Sequence, residues 1–225
     1  MMKVNIAIDG PSGAGKSTIA KAAAKKLGFI YVDTGALYRS VALNAIRSGV
    51  KDTKNKEEEV VPTLSGLNVS LRFVDGEQRV FIGDCDVSEA IRQNEVSMAA
   101  SNVSAIPEVR DFLFSLQRNI ASENDCIMDG RDIGTVVLPD AKIKIFLTAS
   151  PEARADRRFK ELLKKGQQID YATVLKEIKE RDWQDSHREI APLKKADDAV
   201  LVDTTGYGLE DAVKAVMDVI AEKLK

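Results

Sequence analysis

The chain reads as an α/β fold, a three-layer parallel sheet core with helices on both faces, carrying a small antiparallel β insertion and a helical lid. Three observations predict it. Short apolar runs recur along the chain with helix-forming stretches between them, the pattern of parallel strands joined by crossover helices. Between Leu67 and Val87 the texture changes to strict alternation, which suits antiparallel strands. After Ser150-Pro151-Glu152 a basic, helix-forming stretch carries Arg154, Arg157 and Arg158 into LLKKGQQ and then into a second helix.

The first strand is the run Val4 to Ile8. It is followed at once by a glycine-rich loop and by TIAKAAAKKLG, whose alanine, lysine and leucine content favours helix and whose Gly28 supplies the stop. Phe29 to Val32 is a second strand feeding the turn DTGALYR, after which a helix runs through VALNAIRSG. Cys126 to Met128 and Ile143 to Leu147 are unalternating apolar strands of the kind covered on both faces. Ala199 to Val202 is a further strand, and Glu210 to Leu224 a terminal amphipathic helix. In the insertion, Asp75-Gly76 and Gly83-Asp84 mark the turns, and KDTKNKEEE before it reads as an exposed connector. The resulting division is a core of residues 1–63, 93–149 and 186–225, a β insertion at 64–92 and a lid at 150–185.

Composition limits the partners. At 225 residues and 44% hydrophobic content the chain has ample material for a core, and 33 basic against 35 acidic residues give a formal charge of −2. No bulk cationic field is present to attract nucleic acid or an anionic membrane, so affinity for phosphate has to be local. Cys85 and Cys126 lie far apart without metal-ligand spacing, and no apolar run reaches membrane-spanning length. These features predict a cytoplasmic protein with no nucleic acid or membrane partner; a monomer is the default expectation, since the sequence does not give the oligomeric state.

The loop Gly10-Pro11-Ser12-Gly13-Ala14-Gly15-Lys16-Ser17 fits G-x4-G-K-[ST], directly after a strand and before a helix. Its glycines let backbone amides turn around phosphates, the helix start adds partial positive charge, Lys16 reaches the β- and γ-phosphates, and Ser17 helps to hold Mg²⁺. Thr18 continues this set, and Arg157 of the lid joins it. Chance turn chemistry does not demand this combination. The motif leaves open a kinase, a nucleotide switch or a motor-type ATPase.

Asp129-Gly130-Arg131-Asp132 follows the strand CIM, at the carboxyl end where doubly wound folds bind ligands. Asp129 is placed to orient the Mg²⁺ shell, Arg131 to contact phosphate, and Asp132 to accept hydrogen bonds from a sugar or base. A local Asp–Arg surface pair is the plain alternative. Val174, Ile178, Arg181, Asp185 and Arg188 recur at steps of four and three on one helix face, a stripe that switches midway from apolar to charged. Such a face passes from core into a polar cleft, although a solvated ion pair would give the same pattern. The lid arginines suit closure over a transferring phosphoryl group.

Together, DGPSGAGKST, DTGALYR, DGRDIGTVVLPDA and KERDWQDSHREIAPL resemble the bacterial cytidylate kinase family over nearly the whole chain. The resemblance implies ATP-dependent phosphorylation of CMP and dCMP with Mg²⁺. It implies that Thr34, Tyr38 and Arg39 lie at the acceptor, that Ser101 and Asp132 read the base or ribose, and that Arg110 contacts the acceptor's phosphate or base. Arg181, Asp185 and Arg188 would then hold its phosphate and sugar. Thr34 stands where the family often has serine, which keeps the hydroxyl and adds a methyl. Lys16, Arg131, Arg158 and Arg181 are the candidates for stabilising the transition state. His187 reads as a helix-surface residue, and Trp183 as a packing group. Another small-molecule kinase, acting on UMP, dTMP, AMP or a non-nucleotide alcohol, is the nearest rival, followed by an ATP-binding regulatory switch.

Overall fold

The computed structural model describes residues 3–74, 77–164 and 166–225. Its elements are, in order, β1 (Asn5–Asp9), α1 (Lys16–Leu27), β2 (Ile30–Asp33), α2 (Thr34–Arg47), α3 (Glu57–Val60), β3 (Val69–Val74), β4 (Glu77–Ile82), β5 (Cys85–Asp86), α4 (Asn94–Val103), α5 (Pro107–Glu123), β6 (Cys126–Gly130), β7 (Ile143–Thr148), α6 (Pro151–Lys164), α7 (Tyr171–His187), β8 (Val200–Asp203) and α8 (Leu209–Leu224). A π-turn spans Ile133–Val137. The chain forms two compact units, Met1–Val32 with Ala121–Lys225, and Asp33–Ile120.

In the first unit the strand order is β2-β6-β1-β7-β8, and β1 pairs in parallel with both β6 and β7. The carboxyl end of β1 therefore opens between the ends of its two neighbours, and whatever follows β1, β6 and β7 is gathered there. Ile6, Ile8, Ile127, Ile145 and Leu147 pack against Ala20, Ala23 and Ala24 of α1 and Val213, Val216 and Ile220 of α8. The small alanine face lets α1 sit close to the sheet. β6 is buried along its whole length, as an unalternating strand should be. β7 is not. Its buried positions alternate with half-buried Lys144, Phe146 and Thr148, because one face meets α1 and α8 while the other carries polar neighbours such as the Lys144–Asp198 ion pair at 2.8 Å.

α6 and α7 share a small core of Ala155, Leu162, Val174 and Ile178, flanked by the edge-on rings of Phe159 and Tyr171. Asp170 starts α7 by accepting the Thr173 amide at 3.1 Å. These helices are tied to the rest of their unit through Arg154, which is only 2% exposed. Its Nε donates to the Ala149 carbonyl at 2.9 Å, and its terminal nitrogens reach the Ser12 carbonyl at 3.0 Å and Asp182 at 2.9 Å. One guanidinium thus joins the β1–α1 loop, the end of β7 and α7.

In the second unit β3, β4 and β5 form an antiparallel sheet, with Gly83-Asp84 between the last two strands. The predicted Asp75-Gly76 turn lies outside the described residues. Leu37, Val41, Val60, Val80, Val87, Val96, Val103 and Leu113 make the core of this unit. Two local readings change. The Asp33 carboxylate accepts the Ala36 amide at 2.9 Å, so α2 begins at Thr34 with no intervening turn. The end of the expected connector is helical at α3, because fully buried Val60 anchors it.

Two substitutions test these ties. At Gly10, φ is 150° and an added Cβ would lie 1.9 Å from the Leu147 carbonyl oxygen. Gly10→Ala should cost about 3 kcal/mol in urea unfolding, from strain and overpacking together. Asp182→Ala leaves the buried Arg154 guanidinium without its carboxylate and should cost about 3 kcal/mol in the same experiment.

Candidate active site

The loop between β1 and α1 is built to receive an anion. Gly15 caps α1 at φ 91°, a left-handed conformation that glycine adopts freely, and it offers no side-chain hydrogen bond to the helix amides. Those amides, with the positive end of the helix dipole, face the loop. Lys16 is 6% exposed, and its Nζ donates to the Pro11 carbonyl at 2.8 Å, curled over the loop it serves. Burial, reinforced by the Arg131 guanidinium, pushes the Lys16 ammonium down to about 7, against the pull of Asp129, Asp185 and Asp9.

Asp129, buried near the end of β6, accepts the Tyr31 hydroxyl at 2.7 Å on one oxygen and the Ser17 hydroxyl at 3.1 Å on the other. Ser17 and Asp129 thus meet as a hydroxyl and a carboxylate, hard oxygen donors of the kind Mg²⁺ takes. Tyr31 is a partner that sequence reasoning missed. Its position in an apolar strand gave no sign that its hydroxyl would find a carboxylate.

Arg131 Nε donates to Asp185 at 2.7 Å, and an Arg188 terminal nitrogen donates to Asp132 at 3.2 Å. Arg188 Nε is held by the Ala191 carbonyl at 2.7 Å. Burial alone would raise the Asp185 carboxyl, but Arg131, Arg181 and Arg188 outweigh it and hold the group below the usual carboxylate range. Asp185 raises Arg131 in return, overcoming the effect of its burial. The α7 stripe switches as predicted. Val174 and Ile178 lie in the helix-pair core, Arg181 and Asp185 reach the charge cluster, and Arg188 follows one residue beyond the helix. Lys16, Ser17, Asp129, Arg131, Asp132, Arg181, Asp185 and Arg188 are therefore brought together in the first unit.

Asp9, a second missed residue, ends β1 at 4% exposure and accepts the amides of Ile133 at 2.8 Å and Gly134 at 2.7 Å. Burial pushes its carboxyl up to about 6, and the Gly134 and Ile133 amides keep it from rising further. Its signal in the sequence was a lone acid closing an apolar strand.

Other predicted residues have partners of their own. Arg157 donates to the Thr204 carbonyl at 2.7 Å, bracing the turn after β8. Arg158 pairs with Glu161 of its own helix at 3.2 Å. Thr34, Tyr38, Arg39, Ser101 and Arg110 all belong to the second unit. There Thr34 is buried at the start of α2, and Arg39 pairs with Asp33 at 3.1 Å. Arg39 Nε is buried and has no acceptor among the described residues. Arg110, 7% exposed, lies with its guanidinium carbon 5.9 Å from the Tyr38 ring centre and donates to the Ser104 carbonyl at 3.3 Å. The Ser101 carbonyl accepts the Ser104 hydroxyl at 2.8 Å. Trp183 departs from its packing role. It is 63% exposed and stacks on His187, with ring centres 4.7 Å apart. Burial raises the Cys126 thiol to about 12, which leaves it inert.

Comparison with known proteins places the chain. The cytidylate kinase family model matches residues 6–222. The cytidylate kinase of Caldicellulosiruptor saccharolyticus is 50% identical over 218 residues, covering 97% of this chain and 96% of that protein. The cytidylate kinase of Streptococcus sanguinis is 52% identical over 214 residues, covering 95% of this chain and 94% of that protein. A crystal structure of an uncharacterized protein from Eubacterium ventriosum superposes with a TM-score of 0.54 at 15% identity, over 98% of this chain and 99% of that one, a likeness of fold alone. The motif residues of the phosphate loop, the β6 end and α7, found clustered in space, thus sit in a chain that belongs to the cytidylate kinase family.

Proposed function

We propose that the protein transfers the γ-phosphoryl group of ATP to the phosphate of CMP or dCMP, giving CDP or dCDP and ADP. The observation that carries this reading is the group of Lys16, Arg131, Arg181 and Arg188 around buried Asp185, beside the phosphate loop, in a chain of this family.

A phosphate oxygen of CMP is already anionic, so it attacks the γ-phosphorus in line without a protein base, and the bond to the β–γ bridging oxygen breaks. What the protein supplies is position and positive charge. Loop residues Gly10 to Thr18 take the donor phosphates, with Lys16 released from Pro11 to the β- and γ-phosphates. Ser17 and Asp129 would hold Mg²⁺, which neutralises charge on the donor phosphates. Arg131 and Arg181 stabilise the transferring group, and Arg158 reaches it only by leaving Glu161 as α6 moves. A cleft of about 420 Å³ lined by Pro11, Ala149, Pro151, Arg154, Asp203 and Thr205 suits the adenine, with Arg157 bracing the Thr204 carbonyl next in sequence to two of its lining residues.

Asp132, Arg188 and Asp185 take the base, phosphate and ribose of the acceptor, and membership of the family supports Thr34, Tyr38, Arg39, Ser101 and Arg110 as further acceptor-binding residues. The Asp132 carboxylate suits the exocyclic amine of cytosine, for which uracil offers a carbonyl. The near-neutral charge of −2 fits a protein acting on small nucleotides with no nucleic acid or anionic membrane partner, and we take it to act as a cytoplasmic monomer. Among the described residues, no helix is long and apolar enough to cross a membrane.

Incubation of the purified protein with ATP, Mg²⁺ and CMP, dCMP, UMP, dTMP or AMP singly, with the diphosphates quantified, should yield CDP and dCDP well ahead of the rest. Equal turnover of AMP would refute the reading. Lys16→Ala should lower kcat about a hundredfold or more. Asp132→Ala should remove most of the preference for CMP over UMP, and full retention of that preference would exclude Asp132 as the base reader.

A further inference from the structure

The residue that stands out after the binding residues are accounted for is Asp9. It lies outside the phosphate loop proper and is 4% exposed, yet both of its carboxylate oxygens are used on the segment after β6. Oδ1 accepts the Ile133 amide at 2.8 Å and Oδ2 accepts the Gly134 amide at 2.7 Å. These are the first two residues of the π-turn, whose cap is Asp132. The Asp132 carbonyl accepts the amides of Val136 at 2.9 Å and Val137 at 3.2 Å, so the turn closes back on the same residue. A π-turn is a rare and intrinsically poor conformation, found where a side chain has to be aimed.

We propose that Asp9 is a positioning residue for acceptor selection: its two-pronged grip on the Ile133 and Gly134 amides fixes where the Asp132 carboxylate points, and through it the preference for cytosine. This rests on the reading of Asp132 given above. The grip is rigid on both sides. Asp9 pairs in register with Gly130 across β1 and β6, which fixes the Asp9 backbone relative to the start of the segment it holds. A Cβ at Gly134 would lie 3.3 Å from Asp9 Oδ2 and 3.1 Å from the Lys144 side chain, so the turn has little room to shift. Asp132, held ahead by its Arg188 partner at 3.2 Å and behind by the turn, is left with one direction.

Asparagine is the sharpest probe. It keeps the shape and one carbonyl acceptor but turns an N–H₂ donor toward one of the two amide donors, so one prong becomes repulsive. Asp9→Asn should raise KM for CMP about tenfold and lower the CMP-to-UMP ratio of kcat/KM by about as much, the effect of one lost hydrogen bond to a charged group. Affinity for ATP, measured by calorimetry, should stay within about twofold, since the phosphate loop keeps its own backbone. A purely structural role would lower activity on CMP and UMP alike and leave their ratio unchanged. That result would overturn the proposal, as would a loss of ATP affinity matching the loss for CMP.

Asp132→Ala is run beside it. If that variant loses the preference while Asp9→Asn keeps it, the role of Asp9 fails alone. If Asp132→Ala keeps the preference, the reading of Asp132 fails first. Hydrogen exchange of the unaltered protein needs no variant to fold: the Ile133 and Gly134 amides should be among the slow-exchanging class, and rapid exchange at both would show that the grip does not hold in solution.

Discussion

Moving a charged side chain out of water costs several kcal/mol unless a partner of opposite sign goes with it, and the site is arranged by that constraint. Lys16, Asp129, Asp132, Asp185 and Asp9 are all less than a tenth exposed. The four carboxylates have their charge answered at close range, Asp185 by Arg131, Asp132 by Arg188, Asp129 by two hydroxyls and Asp9 by two amides, and the Lys16 ammonium donates to the Pro11 carbonyl. The Arg131 and Arg188 guanidiniums are thereby kept in place on internal acids. On the proposed reading, a phosphate that enters meets an Arg131 already in place on Asp185, which keeps the reorganisation small.

The same constraint shows what the site costs the fold. The Asp9 carboxyl, near 6 in the folded chain against 3.8 for an ordinary one, binds its proton more tightly when folded. Its stabilising contribution is therefore complete below pH 3.8 and is lost as pH rises through about 6, so at neutral pH the ionised group opposes folding by roughly 3 kcal/mol. Lys16, lowered to about 7 chiefly by burial, runs the other way: its ammonium is disfavoured by folding, and the associated penalty applies below pH 7 and fades as pH rises toward 10.5. Groups that a fold would be better without are the ones a function retains.

Much of this was legible in the sequence, for identifiable reasons. Strand β6 and the helix α1 follow from an unbroken apolar run and an alanine-rich segment, where local preference and tertiary environment agree. The α7 stripe was legible because helix periodicity alone puts Val174, Ile178, Arg181 and Asp185 on one face, whatever lies opposite. Tyr31, Asp9 and Asp182 were not, since their importance lies in a partner distant along the chain, and spacing carries no information about such pairs. The half-open face of β7 was hidden for a related reason: Phe146 is apolar, and only the packing shows that α1 and α8 cover the opposite side. Trp183 was misjudged because a large apolar ring is normally buried. Here it lies on the outer side of α7, where His187 covers one of its faces.

Arg154 limits how α6 and α7 can move. Its guanidinium serves Ser12, Ala149 and Asp182 at once, so α7 cannot leave the phosphate loop without breaking a buried bidentate ion pair. Large excursions of α7 are thus expensive, and α6 is packed on it along its length through Ala155, Phe159 and Leu162, whereas the Arg158 side chain is held by an exposed pair with Glu161. The helix that carries Arg181 and Asp185 is accordingly the fixed part, and the exposed Arg158 side chain the movable one. Charge that has to be in place before binding is put on the first, and charge that can arrive with closure is put on the second.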